Sequence, residues 1–594
     1  MAKGVIFSYA YTYYLGDAIH DIDVDDTVDT VEFESAQPNQ VFSVRLHSVK
    51  KQFPHVKKLI LPENLRNIEI SNYMFPNVVE VESKSRNFLS GQFLVNQFNH
   101  LFNSFCRQPD EVLDLKNICC IEPYALEGCK TRKMINMNQD ITLKQCALHG
   151  SALLLEDFEG KFENGIQMFS NTVIDIEKNS DIRLQDCSFY DSCDFSKAGS
   201  VFLTDFNLVE SFKDSYPAKL IIQDDTFYPL SHVVYQLKKF NIVDIQNQWY
   251  KLKGNLLYTK DEKILVHVPF NYKHVSIADG TTELPADVMA SCLNLTSIHI
   301  PDSVKYIGYG ALCNCPSLES IDIDAWNFTA NASLFRGCSS LKKIDISGNF
   351  TCIPRDMFTN SGLQEVIFHE GLQAIDSRAF GFTPIKSVTF PSTLRFVESG
   401  NFQSVSQIFV KGNKLPHGVL QSILKDSAAE EYSIQNSLLS ITFLDVNKTI
   451  YIPKQIMSRS LMQLESLLCD FPIDAIDTIE NNAFDIPESS YLSMYNSSQV
   501  SQASIINCAI AFINATGSQN ARSFLKKKNI SILNHLFKRC NEEDFISFIA
   551  LDILTPRMLD KVLAFAQEQN MTMLISLILD KKQKSGCSKK KFVL

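Results

Sequence analysis

The sequence predicts an α/β solenoid of stacked coils with a parallel sheet on its concave face, followed by a C-terminal α-helical module. Two patterns predict this fold class. A strand-like apolar pattern recurs every 20–23 residues, and the periodicity becomes helical near residue 500. The composition fits a globular protein, because 45% of the 594 residues are hydrophobic and 21% are charged.

Each copy of the strand pattern has a large apolar residue, two variable residues, an aliphatic residue, one variable residue and another apolar residue. Successive copies are 23, 23, 23, 22, 22 and 20 residues apart. The copies are YKHVSI at 272, LTSIHIP at 295, LESIDI at 318, LKKIDI at 341, LQEVIF at 363, IKSVTFP at 385 and VSQIFV at 405. Apolar residues two apart predict a short strand with one face in the core.

Two further apolar columns keep the same phase in each repeat. One column is Met289, Leu312, Phe335, Phe358, Phe380 and Phe402. The other is Leu284, Ile307, Ala330, Ile353, Ile375 and Val397. A unit of this size cannot bury its own apolar face, so neighbouring units must stack. We therefore expect one parallel sheet with the phenylalanine column packed behind it.

The segments IPDSVKYIGYGALCNCPSLESIDI and FHEGLQAIDSRAFGFTPIKSVTFP resemble the BspA-like leucine-rich repeat, which reads roughly IPxxVxxIgxxAFxxCxxLxxI. The resemblance is clearest over 250–411, and residues 250–269 are similar to a hairpin-like insert common between such repeats. Leu312 stands where Phe is usual, and DAWNFTAN at 324–331 lacks the PxxVxxI part. The resemblance implies a binding solenoid. It implies no localisation, because the family includes surface adhesins and intracellular proteins.

Further repeats are predicted before this stretch, and a hairpin, a linker and helices are predicted after it. FPHVKKLILP at 53 and FPNVVEVES at 75 are 22 residues apart and predict divergent repeats before residue 250. A last hairpin is expected at 440–453 and a polar linker at 485–502. The predicted domains are divergent β-rich or leucine-rich repeats at 1–250, BspA-like repeats at 251–411, the repeat end and linker at 412–499, the helical module at 500–582 and a disordered basic tail at 583–594.

Helix start signals define the C-terminal module. Asn541 precedes three acidic residues, and Thr555 precedes Pro556. Asn570 can end the helix that begins at Pro556. The expected apolar faces are Met558, Val562, Leu563 and Phe565 in one helix and Met573, Leu574, Leu577 and Ile578 in the next. We expect this module to cap the solenoid, because an open end would expose apolar core.

Charge and composition exclude some partners. With 56 Lys and Arg against 67 Asp and Glu, the net charge of −11 argues against nucleic acid. The longest mostly apolar run, at 504–515, is too short to span a bilayer. We interpret the tyrosine-rich start as mature protein rather than a signal peptide. Sixteen cysteines are too few for a disulfide scaffold, so a cytoplasmic location is expected.

The strand residue between the two apolar positions should face outward on the concave sheet. We call these residues the concave row: His299, Asp322, Asp345, Ile367, Thr389 and Phe409. Lys343 and Glu365 are expected beside the row. Stacked Asp322 and Asp345 would favour a protein partner with a basic patch, and the row's apolar members would anchor it. The alternative is a solvated sheet face without a partner.

Several clusters suggest metals, but each has a stronger structural interpretation. Cys292, Cys315 and Cys338 lie one repeat apart, in a column that is Cys in the family pattern and fits a core position. A looser cluster contains Cys106, Cys119, Cys120, Cys129, Cys146, His149, Cys187 and Cys193. Only Cys146 and His149 have ligand spacing, so buried structural cysteines are favoured over zinc.

A possible calcium loop lies near the N-terminus. Its acids, at loop positions 1, 3, 5, 9 and 12, are Asp21, Asp23, Asp25, Asp29 and Glu32. Asp26 stands where the sharp turn needs Gly, so an exposed acidic edge strand is favoured. No metal and no cofactor are therefore predicted.

Nucleophile-elbow, phosphate-loop and zinc-protease motifs are missing from the sequence. The sequence therefore predicts a non-enzymatic protein-interaction scaffold. The second hypothesis is a surface adhesin or host-interaction protein exported without a conventional signal peptide. The third is an enzyme within 90–250, where the cysteine cluster lies. The identity of the partner and the oligomeric state do not follow from the sequence.

Overall fold

The fold is that of a computed structural model of the chain. It describes residues 2–7, 17–35, 39–46, 50–137, 140–155, 161–191, 193–324, 326–347, 349–424, 433–456, 458–475, 486–497 and 501–584. The chain divides into two compact units. One unit is Met1–Tyr228 with Lys239–Leu257, and the other is Pro229–Lys238 with Tyr258–Leu594.

The N-terminal unit is built from short, mostly parallel strands. Its strands are β1 (Ala2–Phe7), β2 (Asp17–Ile19), β3 (Val28–Glu34), β4 (Phe42–Arg45), β5 (Lys58–Leu61), β6 (Leu65–Glu69), β7 (Glu80–Ser83), β8 (Phe88–Leu89), β9 (Leu94–Asn96), β10 (His100–Asn103), β11 (Val112–Asp114), β12 (Cys120–Ile121), β13 (Lys133–Ile135), β14 (Thr142–Leu143), β15 (Ile166–Phe169), β16 (Thr172–Ile176), β17 (Asp181–Leu184), β18 (Ser188–Phe189), β19 (Ser200–Leu203), β20 (Lys219–Ile222), β21 (Ile242–Ile245) and β22 (Tyr250–Lys253).

Parallel ladders confirm that this unit is made of stacked coils. One sheet has the order β1-β3-β5-β7, and another has the order β17-β19-β20-β21. Lys58 pairs with Glu80, which matches the 22-residue offset seen in the sequence. The side chains that face inward, such as Leu59 and Val81, are almost completely buried. A second parallel sheet, β2-β4-β6, alternates with the first along the chain, so each of these coils contributes short strands and a few core residues, as a solenoid requires.

The second unit contains helix α1 and the regular repeats. Its helix α1 is Leu230–Leu237, and its strands are β23 (Leu256–Thr259, which starts at the unit boundary), β24 (Leu265–His267), β25 (His274–Ser276), β26 (Glu283–Leu284), β27 (Ser297–Ile300), β28 (Tyr306–Ile307), β29 (Ser320–Ile323), β30 (Thr329–Ala330), β31 (Lys343–Ile346), β32 (Cys352–Ile353), β33 (Glu365–Phe368), β34 (Ala374–Ile375), β35 (Ser387–Phe390), β36 (Phe396–Val397), β37 (Gln407–Val410), β38 (Leu438–Phe443) and β39 (Lys448–Pro453).

Each repeat contributes two strands rather than one. The predicted four-residue strands pair in parallel, with Ile298 opposite Ile321. The Leu284 column also forms strands, two residues long, which pair in the sheets β26-β28-β30 and β32-β34-β36. Only one sheet was expected, because an apolar column with a single buried residue per repeat does not reveal a two-residue strand.

The phenylalanine column packs in the core as expected. The rings of Phe335, Phe358, Phe380 and Phe402 are at most 1% exposed. Their centroids are 5.5, 5.2 and 5.1 Å apart, with interplanar angles of 14°, 15° and 16°. A repeat of nearly constant length places one ring directly over the next, so the column is a continuous stack.

The strands give way to helices after the last repeat. Strand β38 pairs in parallel with β37 and in antiparallel with β39, which confirms the last hairpin. The helices are α2 (Val419–Leu424), α3 (Ser458–Asp470), α4 (Glu488–Tyr495), α5 (Gln502–Thr516), α6 (Gln519–Arg539), α7 (Glu542–Ala550), α8 (Pro556–Glu568) and α9 (Thr572–Lys584). None of the described helices is long and apolar enough to cross a bilayer.

Helix α5 covers the end of the sheet. It packs against β39 and β38, and eleven of its fifteen residues are buried. The Sγ atom of Cys508 donates a hydrogen bond to the carbonyl oxygen of Ser437 at 3.2 Å. The hydroxyl of Ser437 donates in turn to the carbonyl oxygen of Asn507 at 3.3 Å. The helical module thus buries apolar surface that the last hairpin would otherwise expose.

The predicted helix signals hold with small differences. The Asn541 side chain accepts a hydrogen bond from the amide of Asp544 at 3.1 Å, and α8 starts at Pro556. Leu574 and Ile578 are buried, but Met573 is 68% exposed. The last ten residues of the predicted tail, 585–594, lie outside the described residues.

Two segments differ from their predicted structure. The expected linker at 485–502 contains α4, because Tyr491, Met494 and Tyr495 form one buried helical face that a polar composition had hidden. The ring of Tyr491 stacks on Phe524 at 5.3 Å. The expected acidic edge strand at 21–25 is a loop, although Ile22 and Val24 are buried between exposed acids.

Candidate functional site: the concave row

The six residues of the concave row lie on six successive repeat strands. Their strands are β27, β29, β31, β33, β35 and β37, and each residue lies between two apolar residues of its strand. Burial alternates along these strands, as in β33, where Val366 and Phe368 are buried while Glu365 is exposed. Because successive side chains of a pleated strand point to opposite faces, the row faces outward, away from the phenylalanine stack.

The row runs over three sheets, with breaks after β29 and after β33. Strand β29 ends one sheet and β31 begins another, and these two strands are not ladder partners in the part of the chain that the structure describes. The expected pairing of Asp322 with Asp345 is therefore wrong. The irregular segment after β29 explains the break, because Trp326 and Phe328 fold into the core. Both rings contact Phe350, at 5.5 and 5.7 Å between centroids.

Each acid of the row contacts a histidine instead of another acid. His299 lies directly opposite Asp322, and its Nδ1 atom is 3.0 Å from that carboxylate. The Nε2 atom of the same ring is 3.8 Å from Asp324. Asp345 contacts His369, whose Nε2 atom is 2.6 Å from Oδ1. Asp324 and His369 were missed from the sequence, since only the folded register brings them to the row.

The charged neighbours of the row form one further pair. Lys343 lies opposite Glu365, and Nζ is 2.7 Å from Oε1. With Asp322, Asp324, Asp345 and Glu365, this face carries four carboxylates against one lysine. It is net negative wherever the histidines are neutral, so it favours cationic groups.

The apolar members of the row are less open than expected. Ile367 and Phe409 are half-buried, so only part of each side chain is accessible to a partner. Phe409 lies between Thr389 on one side and Thr442 on β38 on the other. The last hairpin therefore extends the row by one strand. The sequence had indicated this hairpin but not its place in the row.

The cysteine column is part of the core. Cys292, Cys315 and Cys338 are buried, and burial raises the pKa of Cys292 to about 11 and that of Cys338 to about 12. The thiol of Cys315 donates a hydrogen bond to the carbonyl oxygen of Met289 at 3.2 Å, and burial raises its pKa as well. The thiols of Cys315 and Cys338 donate to backbone carbonyl oxygens inside the core, which fits a packing role.

The other predicted metal candidates do not converge. His149 contacts Glu127, with Nδ1 3.4 Å from the carboxylate, rather than sharing a site with Cys146. In the acidic loop, Asp21 contacts Lys51 at 3.1 Å, and Glu32 contacts Lys84 at 3.3 Å from strand β3. Among the described residues, two groups bring three ligand atoms within 4.8 Å: His100, Cys120 and Glu122, and His299, Asp322 and Asp324.

The stacked parallel coils define a parallel-sheet β-solenoid that is followed by a C-terminal helical region. Residues 271–409 match the family model of the BspA type leucine rich repeat region, in six copies. This stretch is therefore a BspA-type leucine-rich repeat region. Repeats of this family are generally non-catalytic, and they suggest a protein-interaction or surface-protein role.

The solved structures similar to the chain include bacterial leucine-rich repeat proteins. A leucine-rich repeat protein from Eubacterium ventriosum is 14% identical, with a TM-score of 0.26, over 64% of this chain and 84% of its own. A leucine rich cell surface protein from Faecalibacterium prausnitzii is 15% identical, with a TM-score of 0.24, over 69% and 90%. The pneumococcal vaccine antigen PcpA is 14% identical, with a TM-score of 0.25, over 64% and 88%. No curated protein matches the chain.

Proposed function

We propose that the chain is a non-catalytic scaffold that binds a protein partner through the concave row. The observation that carries this proposal is the row itself, six outward side chains on consecutive strands with an excess of carboxylates beside them. Within each sheet the ladder fixes neighbouring members of the row, such as His299 opposite Asp322 and Thr389 opposite Phe409, so a partner meets them without a large ordering cost.

The partner's chemistry follows from the charges of the face. Asp322 is 78% exposed and Asp345 is 58% exposed at their side chains, and each contacts a histidine. Such carboxylates stay available to lysine or arginine from outside. A basic patch is therefore the complementary surface, and its encounter with the row should weaken as salt rises.

A cytoplasmic location is part of the proposal. The fifteen cysteines that the structure describes are all free thiols, and several of them lie in the core. Free thiols of this kind suit a reducing compartment. The competing hypothesis is a surface adhesin exported without a conventional signal peptide. Proteolysis of intact cells separates the two, because an adhesin would be digested and a cytoplasmic scaffold would survive until lysis.

The test of the row is a native pull-down with mass spectrometry. It compares the wild type with the double variant Asp322→Lys/Asp345→Lys, which reverses both charges of the row. The matched control is Glu63→Lys/Asp110→Lys, which makes the same charge change at two exposed residues of the N-terminal unit.

We expect a partner that is captured by the wild type and by the control but lost from the row variant. Circular dichroism must show that the row variant is folded. A captured protein that binds all three forms equally would contradict the role of the concave row.

A further inference from the structure

Three side chains of metal-ligand type meet on one face of the N-terminal unit. His100 lies on β10, Cys120 lies on β12, and Glu122 follows two residues later. Nδ1 of His100 is 2.7 Å from Oε1 of Glu122, and Sγ of Cys120 is 3.8 Å from the same oxygen. One ligand atom from each residue lies within 4.8 Å of the other two.

Strand geometry brings them together. Strands β10 and β12 are parallel neighbours, and His100 lies directly opposite Cys120. Side chains two residues apart along an extended chain share one side, so Glu122 falls beside Cys120. The cross-strand pair of His100 and Cys120 and the i, i+2 pair of Cys120 and Glu122 thus bring the three side chains together. The sequence alone shows only a histidine twenty residues before a Cys-x-Glu.

We propose that His100, Cys120 and Glu122 bind a zinc-like divalent cation, with a fourth position open to water. Nitrogen, sulfur and carboxylate oxygen are zinc's protein ligands, and their bond lengths in a tetrahedral site place donor atoms roughly 3.3–3.5 Å apart. The measured separations lie on both sides of this range, so small side-chain rotations suffice.

Burial leaves a path for the ion. Cys120 is 4% exposed and forms the floor of the cluster. The side chains of His100 and Glu122 are 32% and 21% exposed, so the cluster opens toward solvent on their side. A bound ion would cross-link two successive coils where β12 is only two residues long and contributes few ladder hydrogen bonds. The cation would therefore stabilise the N-terminal unit.

The second group of three ligands provides an internal comparison. His299, Asp322 and Asp324 have the same strand arrangement, but the imidazole lies between the two carboxylates and directs a different nitrogen to each. Its ligand atoms also lie within 4.8 Å of one another, but it has no thiolate. We expect it to remain an ion pair without zinc.

Cobalt titration tests the site directly, because a thiolate bound to Co²⁺ gives a near-ultraviolet charge-transfer band that oxygen and nitrogen ligands do not give. The experiment uses tag-free, full-length protein that is reduced and freed of metal with a chelator. Cys120→Ser removes the thiolate. Cys119→Ser is the matched control, since its exposed neighbouring thiol donates to the carbonyl oxygen of Phe98 at 3.1 Å and lies outside the cluster.

We expect one equivalent of Co²⁺ with the charge-transfer band in the wild type, in Cys119→Ser and in His299→Gln, and its displacement by one equivalent of Zn²⁺. In Cys120→Ser the band should be lost. In His100→Gln the affinity should fall at least about tenfold. Zinc should also raise the Tm of the wild type but not that of Cys120→Ser.

Two results would overturn the proposal. One is the lack of a thiolate band in the wild type, and the other is a band that survives Cys120→Ser but disappears in Cys119→Ser. If Cys120→Ser does not fold, Glu122→Gln replaces it, because it keeps the side-chain shape and removes a ligand charge. Unchanged cobalt affinity in folded Glu122→Gln and His100→Gln would then count equally against the site.

Discussion

The regular repeats and the N-terminal unit both stack short parallel strands, but they hold neighbouring coils together differently. In the repeats, the rings of Phe335, Phe358, Phe380 and Phe402 form one apolar stack. In the neighbouring column, the thiols of Cys315 and Cys338 donate to backbone carbonyl oxygens. One buried amide accompanies the stack: Asn401 accepts a hydrogen bond from the amide of Phe380 at 2.8 Å and donates to the carbonyl oxygen of Asp376 at 2.9 Å.

A buried amide also connects coils in the N-terminal unit. The side-chain amide of Asn72 donates to the carbonyl oxygens of Ala125 and Glu127, both at 2.9 Å. Its oxygen accepts from the amides of Ser104 and Phe105, both at 3.1 Å. One side chain thus connects three coils. Polar side chains are costly to bury unless they are fully hydrogen-bonded, and Asn72 meets this condition.

Coil length explains the difference. Paired residues are 23, 23 and 22 positions apart in the repeat pairs Val275–Ile298, Ile298–Ile321 and Ile344–Val366. In the N-terminal unit the offset is 20 for His100–Cys120 and 19 for Asp181–Ser200. Equal coils place like residues over each other, so a ring stack can propagate. Unequal coils do not bring like residues over each other in this way.

The largest expected effect is the loss of one ring from the stack. Phe358→Ala should lower the free energy of unfolding by about 3–5 kcal/mol, because it opens a cavity between two stacked rings. Urea denaturation measures the change. The control Phe382→Ala removes a ring that is 67% exposed, and it should change stability by less than about 0.5 kcal/mol. Equal losses in the two variants would show that the stack does not hold the coils.

Asn72→Ala should have the next largest effect, about 2–3 kcal/mol, since it removes the buried hydrogen bonds of this side chain to the carbonyl oxygens of Ala125 and Glu127 and to the amides of Ser104 and Phe105. The matched control is Asn77→Ala, which removes one bond, of 2.8 Å, to the carbonyl oxygen of Pro54. Hydrogen exchange at Ser104 and Phe105 localises the damage. If exchange there stays as slow as in the wild type, the amide network is not what fixes these coils.

The close approach of equal coils can be tested at Gly362. A Cβ atom there would lie 1.9 Å from the carbonyl oxygen of Ser339, so Gly362→Ala should cost about 1–3 kcal/mol. A Cβ at Gly91, in the N-terminal unit, would meet no atom within 4 Å. Gly91→Ala should therefore be nearly neutral in thermal unfolding. A reversed order would mean that the coils of the repeats are not packed as closely as the structure shows.

The smallest expected effect is a difference in acid sensitivity. Burial raises the pKa of Asp175, but hydrogen bonds from Lys161 and Lys197, both at 2.6 Å, outweigh it and leave the pKa below its ordinary value. A depressed pKa stabilises the fold above the unfolded value, near 3.8. This stability is lost as the pH falls toward the folded value.

We therefore expect Asp175→Asn to flatten the loss of stability between about pH 5 and pH 3, measured as the urea midpoint at each pH. The exposed Asp110→Asn is the control and should follow the wild-type curve. Parallel curves for Asp175→Asn and the wild type would exclude a stabilising role of this carboxylate at neutral pH.

Prediction from the sequence was most successful where one residue type repeats at one interval. The strands of the repeats, the burial of the phenylalanine column, the last hairpin, the cap at Asn541 and the start of α8 at Pro556 were all indicated by local patterns. Helix α4 was missed because three apolar residues in a polar segment give a weak period. The outward direction of the concave row followed from alternation, but its histidine partners did not.

The sequence by itself determined the repeat unit and which face of each strand enters the core, because these depend on periods of 2 and of about 22 residues that can be counted along the chain. Only the tertiary structure decided which side chains meet across coils. It paired Asp322 with His299 rather than with Asp345, and it placed His100 opposite Cys120. Such contacts depend on register, and register depends on the length of every intervening turn and on how its residues pack.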